Sequence, residues 1–162
     1  MNPSNAQVPP HGWPEGAGFS LVELLIAGTI VGALIAIAVP WYEAYREQAR
    51  ISTAIGDLRT LDNQLRSFRM SNDSWPPALN AVPQGKMLDP WGNNYQYLAI
   101  EDNVKAKGNE RADKNLVPIN SDFDLYSNGK DGVTSRQLTS QNARDDVVRA
   151  NDGRYYGLAS NY

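Results

Sequence analysis

Gly18-Phe19-Ser20-Leu21-Val22-Glu23-Leu24-Leu25-Ile26 opens an apolar run that continues to Val39. From Phe19 to Val39 there are 21 residues and one charge, Glu23. At ~1.5 Å per residue, a helix over that run spans about 30 Å, the thickness of a bilayer core. A lone carboxylate in such a run costs on the order of 3 kcal/mol unless it meets a cation. The run offers none, because the first Lys or Arg of the chain is Arg46. A new α-amino group would serve if the chain were cut just before Phe19. The stretch therefore reads as one membrane-spanning helix over residues 19–42, with a carboxylate whose partner lies outside its own run.

Behind this run the pattern changes. Ile51, Ala54, Ile55, Leu58, Leu61, Leu65 and Phe68 recur every three or four residues, with Arg50, Asp57, Arg59, Asp62 and Arg66 between them. That period predicts an amphipathic continuation of the helix to about Met70, laid on a soluble domain over 43–162. Pro40 lacks an N–H and crowds the carbonyl four residues back, so a kink or local unwinding is expected near 36–40. Gly28 and Gly32 have the spacing that lets two membrane helices approach closely. Ahead of the run, residues 1–18 hold Pro3, Pro9, Pro10 and Pro14 and no apolar core, so they read as a leader rather than a secretory signal peptide. Their only charge is Glu15, so the positive-inside rule gives little orientation.

Composition excludes several classes. The 162 residues hold no cysteine, which rules out disulfides and thiolate chemistry. The single histidine, His11, lies in the leader. Without His or Cys the remaining chain lacks the commonest general base and nucleophile, so an enzyme is not expected. A net charge of −3 gives no electrostatic case for nucleic acid.

The stretch Gly18 to Leu25 resembles the processing site of type IV pilins and type II secretion pseudopilins. The resemblance implies that a prepilin peptidase cuts after Gly18 and methylates Phe19. It further implies that Glu23 pairs with the N-terminus of a neighbouring subunit during filament assembly. Two later stretches resemble the major pseudopilins of type II secretion more narrowly. They are Asp89-Pro90-Trp91-Gly92-Asn93-Asn94-Tyr95-Gln96-Tyr97, which leads into a strand, and Asp124-Leu125-Tyr126-Ser127-Asn128-Gly129-Lys130-Asp131-Gly132.

Elsewhere, Tyr95 to Ile100 and Phe123 to Ser127 alternate as strands do, and Leu116 to Ile119 reads as a short strand or its approach. Glu101 to Asn115 is charged and reads as an exposed loop. Tyr155 to Ala159 is a last short strand or a packed tail. The expected fold is α+β, a long N-terminal helix packed on a small antiparallel sheet of three to four strands.

The C-terminal third is crowded with Asp122, Asp124, Asp131, Asp145, Asp146 and Asp152. Calcium takes six to eight oxygens, although turn formation and helix capping also explain such residues. The spacing is not that of an EF-hand. The pseudopilin resemblance implies a calcium loop instead, with Asn128 giving its carbonyl, Asp131 its carboxylate, and Asp145 and Asp146 the later ligands.

The family resemblance implies a structural subunit held in the bacterial inner membrane with its C-terminal domain in the periplasm. An assembly ATPase and platform protein would extract it into a homo-oligomeric filament, alongside minor pseudopilins. That filament would be a secretion pseudopilus or, as the alternative, a type IV pilus. A different class of function is a monomeric membrane-anchored binding module using Trp75, Trp91, Tyr155 and Tyr156.

Overall fold

The computed structural model describes residues 18–101 and 103–162. The leader proposed over 1–18 therefore lies outside the described residues, except for Gly18. The chain divides into two units, Met1–Tyr42 and Glu43–Tyr162.

In the first unit, the apolar run forms the start of helix α1, Leu21–Asn72. An 18-residue window of α1 reaches a mean hydropathy of 2.5, long and apolar enough to cross a membrane. Residues 18–42 are exposed throughout. Of the kink or local unwinding expected near 36–40, unwinding is not seen: α1 runs through Pro40 without a break.

In the second unit, four strands form one antiparallel sheet in the order β1-β2-β3-β4. They are β1 (Gln96–Ala99), β2 (Phe123–Ser127), β3 (Val147–Ala150) and β4 (Tyr155–Leu158). The register pairs Tyr97 with Leu125, Tyr126 with Val148, and Val148 with Gly157. Alternation along the strands splits their side chains between two faces. Phe123, Leu125 and Val147 pack on Ala54, Leu58, Leu61 and Leu65 of α1, together with Leu79, Val82 and Tyr95. These four α1 residues are fully buried at steps of four, three and four, the period read from the sequence. Each leucine so buried contributes about 1.5–3 kcal/mol. Asp73, at φ 51°, takes the left-handed conformation that commonly ends a helix.

The second face is covered too. Ile119, Leu138, Val148, Ala150 and Ala159 form a smaller cluster with Tyr126, Tyr155 and Tyr162 against it. Residues 101–115, expected as an exposed loop, contribute to that cover. Ala106, Arg111 and Ala112 are buried, while Val104 and Lys107 to Asn109 remain at the surface. Leu116 to Ile119 forms no strand; Leu116 makes only an isolated bridge to Asp113. Strand β3 lies where the sequence showed chiefly an acidic cluster.

A charged cluster also lies beneath the sheet. Arg149 of β3 has no exposed side-chain surface, donates from Nε to Asp62 of α1 at 2.7 Å and grips Asp122 through Nη1 and Nη2 at 2.8 and 2.6 Å. Its guanidinium lies 4.0 Å over the Phe123 ring. Arg66 joins from α1, reaching Asp62 at 2.9 Å and Asp122 at 3.2 Å. The cluster ties the helix to the sheet through two carboxylates shared by two arginines.

Candidate assembly motif and C-terminal corner

At the start of α1, Ser20 and Glu23 bond reciprocally. Glu23 Oε2 accepts from the Ser20 backbone N–H at 2.9 Å and from its hydroxyl at 3.0 Å, while the Glu23 N–H donates to Ser20 Oγ at 3.2 Å. This is a capping box, which satisfies donors that the first helical turn leaves unpaired. The carboxylate expected to find its partner outside its own run therefore has a local one. The signal was legible as Ser-x-x-Glu ahead of an apolar helix. Gly18 and Phe19 precede the helix as exposed, irregular chain. Ser20 and Glu23 both lie after the proposed cut, so the box would survive processing.

The two stretches that resembled the major pseudopilins meet in one corner of the second unit. Asp89 is buried, and its Oδ1 accepts from the backbone N–H groups of Trp91 and Asn93 at 3.0 and 2.8 Å. Its Oδ2 accepts from Ser127 Oγ, at the end of β2. Asn93 Nδ2 donates to the Gly129 carbonyl at 3.3 Å. Trp91 is half-buried against the core, with its indole N–H donating to Glu47 at 3.1 Å. Trp75, Tyr155 and Tyr156, offered for a binding module, also pack against the two clusters.

Gly129 has a φ of 67° and lies so close to the next segment that an added Cβ would sit 2.2 Å from the Asp145 carbonyl oxygen. Only glycine meets both demands. Asp131 donates its backbone N–H to Asp145 Oδ2 at 3.0 Å and accepts from the Val133 N–H at 2.8 Å. The corner thus brings Asn128, Asp131 and Asp145 into one neighbourhood.

Asp146 does not join them. Its side chain has no exposed surface, and its Oδ2 accepts from Arg111 Nη2 and Thr134 Oγ1, both at 2.6 Å. Burial pushes this carboxyl up to about 6, against the pull of Thr134 and Arg111. Three other aspartates of the crowd are also committed to protein donors. Asp122 holds Arg149, Asp124 accepts from the Arg111 N–H and from Asn120, and Asp152 accepts from Ser121. Two of the four residues implied as calcium ligands carry a buried acceptor with no hydrogen-bond partner, Asn128 Oδ1 and Asp146 Oδ1. Among the described residues no three carboxylate, histidine or cysteine side chains gather where they could hold a metal ion. Of the four-residue calcium set implied by the resemblance, Asn128, Asp131 and Asp145 share the corner, whereas Asp146 is committed through Oδ2 to Arg111 and Thr134. Arg111 is the residue the sequence reading missed. It sits in a charged stretch with nothing to mark one arginine as buried.

A helix that is apolar and then amphipathic, packed on a four-stranded antiparallel sheet and opened by a Ser-x-x-Glu box, is a pilin-like architecture. No family model and no solved structure matches the chain. Among curated proteins it is similar to type II secretion system core protein G of Pseudomonas aeruginosa, 30% identical over 139 residues, covering 73% of this chain and 86% of that protein. It is 27% identical over 122 residues to the protein of the same name in Escherichia coli, covering 71% of this chain and 82% of the relative. It is also 26% identical over 144 residues to type IV major pilin protein PilE of Neisseria gonorrhoeae, covering 85% and 86%. The chain belongs to the type IV pilin and type II secretion pseudopilin family, and is a structural subunit of a type IV pilus-like filament.

Proposed function

We propose that this subunit builds the pseudopilus of a type II secretion system. The supporting observation is the C-terminal corner. Asp89, Asn93, Ser127 and Gly129, drawn from the two stretches that resemble the major pseudopilins, hold one another through Asp89–Ser127 and Asn93–Gly129 bonds. The secretion protein G relatives agree with that choice. In this reading a prepilin peptidase cleaves after Gly18 and methylates Phe19. Residues 19–42 hold the subunit in the inner membrane with 43–162 in the periplasm. A platform protein and ATPase then move it into a filament with minor pseudopilins. Glu23 accepts a neighbour's α-amino group; its carboxylate already gathers two donors from Ser20, so it is positioned at the helix end before the neighbour arrives.

The second reading is a type IV pilus subunit, favoured by a PilE relative that the chain matches over most of its length. Gene deletion separates the two. Loss of folded protein from the culture medium, with adhesion and surface motility retained, is the expected result. Loss of surface filaments and motility with secretion intact would assign the chain to a pilus instead. In either filament, Glu23→Ala is expected to leave membrane-resident monomer and few filaments, and a normal filament yield would refute the pairing.

A further inference from the structure

Asp146 stands immediately before β3, on a segment that the β2–β3 loop must bring back to the sheet. Its carboxylate is fully buried, and a buried carboxylate needs a cation or a set of donors. Arg111 supplies the cation. Its side chain is 3% exposed, its Nη2 donates to Asp146 Oδ2 at 2.6 Å, and its Nη1 donates to Thr134 Oγ1 at 2.5 Å. Its backbone N–H donates to Asp124 of β2 at 2.6 Å, and the guanidinium lies 4.1 Å over the Tyr126 ring. Within the pair, Arg111 Nε and Asp146 Oδ1 have no hydrogen-bond partner, and neither do Glu110 Oε2 and Gln137 Oε1 beside it.

The surrounding backbone repeats the connection. Ala112 donates to the Arg136 carbonyl at 3.0 Å, and Leu138 donates to the Ala112 carbonyl at 2.9 Å, a parallel bridge between two loops. Arg136 Nε donates to the Glu110 carbonyl at 2.7 Å. One segment, 110–112, therefore clasps the β2–β3 loop from outside and inserts a positive charge beneath it.

We propose that Arg111 is a built-in counter-cation that closes the β2–β3 loop on Asp146 in place of a bound calcium ion, so that the C-terminal fold is independent of free calcium. The proposal holds whichever filament the chain builds. It assigns residues 110–112 a closing role that the charged composition of that stretch conceals.

Thermal melting of the full chain in detergent, with millimolar calcium or with excess chelator, tests this directly. The wild-type curves are expected to overlay within about 2 °C, and calorimetric titration with calcium should give no binding heat. Arg111→Met keeps the bulk and removes the charge, leaving Asp146 uncompensated, and is expected to melt about 10 °C lower. Arg111→Lys should recover part of that loss, because it keeps the charge without the planar fork. The double variant Arg111→Met with Asp146→Leu should recover more than Arg111→Met alone, since neither charge is then left buried. A wild-type melting temperature raised more than about 5 °C by calcium would overturn the proposal, as would a calcium-binding heat. So would an Arg111→Met chain that melts with the wild type.

Discussion

Replacing Arg149 with methionine probes how the helix is held to the sheet. The side chain has no exposed surface and makes four hydrogen bonds: one to Asp62, two to Asp122 and one to the Phe123 carbonyl at 2.9 Å. Breaking a buried ion pair costs about 3–5 kcal/mol when it leaves a lone charge behind. Here neither carboxylate is left alone, because Arg66 still reaches Asp62 at 2.9 Å and Asp122 at 3.2 Å. Methionine also refills most of the volume and keeps an apolar contact with Phe123. The low end is therefore expected, about 3 kcal/mol. At ~3 °C per kcal/mol for a chain of this size, the melting temperature falls by about 10 °C. Circular dichroism of the full chain in detergent reads this at 222 nm. Asp62→Asn combined with Arg149→Met should cost less than the sum of the two, since the two residues share one bond. An Arg149→Met chain as stable as wild type would refute the claim that this cluster fastens α1 to the sheet. Strict additivity of the two variants would refute it too.

Two further predictions follow from the C-terminal half. Gly129→Ala drives a Cβ to 2.2 Å from the Asp145 carbonyl oxygen and demands a φ of 67°, so it should cost about 3 kcal/mol or more, whereas Gly132→Ala, at φ 70° with its nearest neighbour 3.4 Å away, should cost only about 1–2 kcal/mol; equal losses in chemical denaturation would contradict this close approach. The pH dependence follows from Asp146, whose carboxyl burial pushes up to about 6. The folded state then holds the proton more tightly than the unfolded state. The contribution is fully present below about pH 3.8 and is lost as pH rises through about 6. Between pH 5 and 7 this removes about 1.4 kcal/mol, or about 4 °C of melting temperature, and Asp146→Asn should flatten that step.

The division between what the sequence disclosed and what it hid follows the range of the interactions. Ala54, Leu58, Leu61 and Leu65 declared their buried face through spacing alone, because a helix imposes its period locally. Gly129 and Gly132 take positive φ, a conformation that selects glycine, so their place in a turn is local as well. Asp146 and Arg111 are 35 positions apart, and nothing at either position says that one neutralises the other. The aspartates of the C-terminal third look alike in sequence, yet they divide into those facing the Arg149 or Arg111 guanidinium, those facing backbone N–H groups and those at the loop surface. Arg111 turned a stretch read as exposed into a cover for the second sheet face. At the N-terminus, the missing cation around Glu23 was legible in the composition of the run, and its local partner lay in the hydroxyl three residues earlier.

The central claim is a subunit that is cut after Gly18 and assembled through the end of α1. Intact-mass analysis of the protein recovered from purified filaments tests it most directly. The account predicts a chain of residues 19–162 whose N-terminal Phe19 carries one methyl group. Assembled filaments whose subunits still carry residues 1–18 would contradict it.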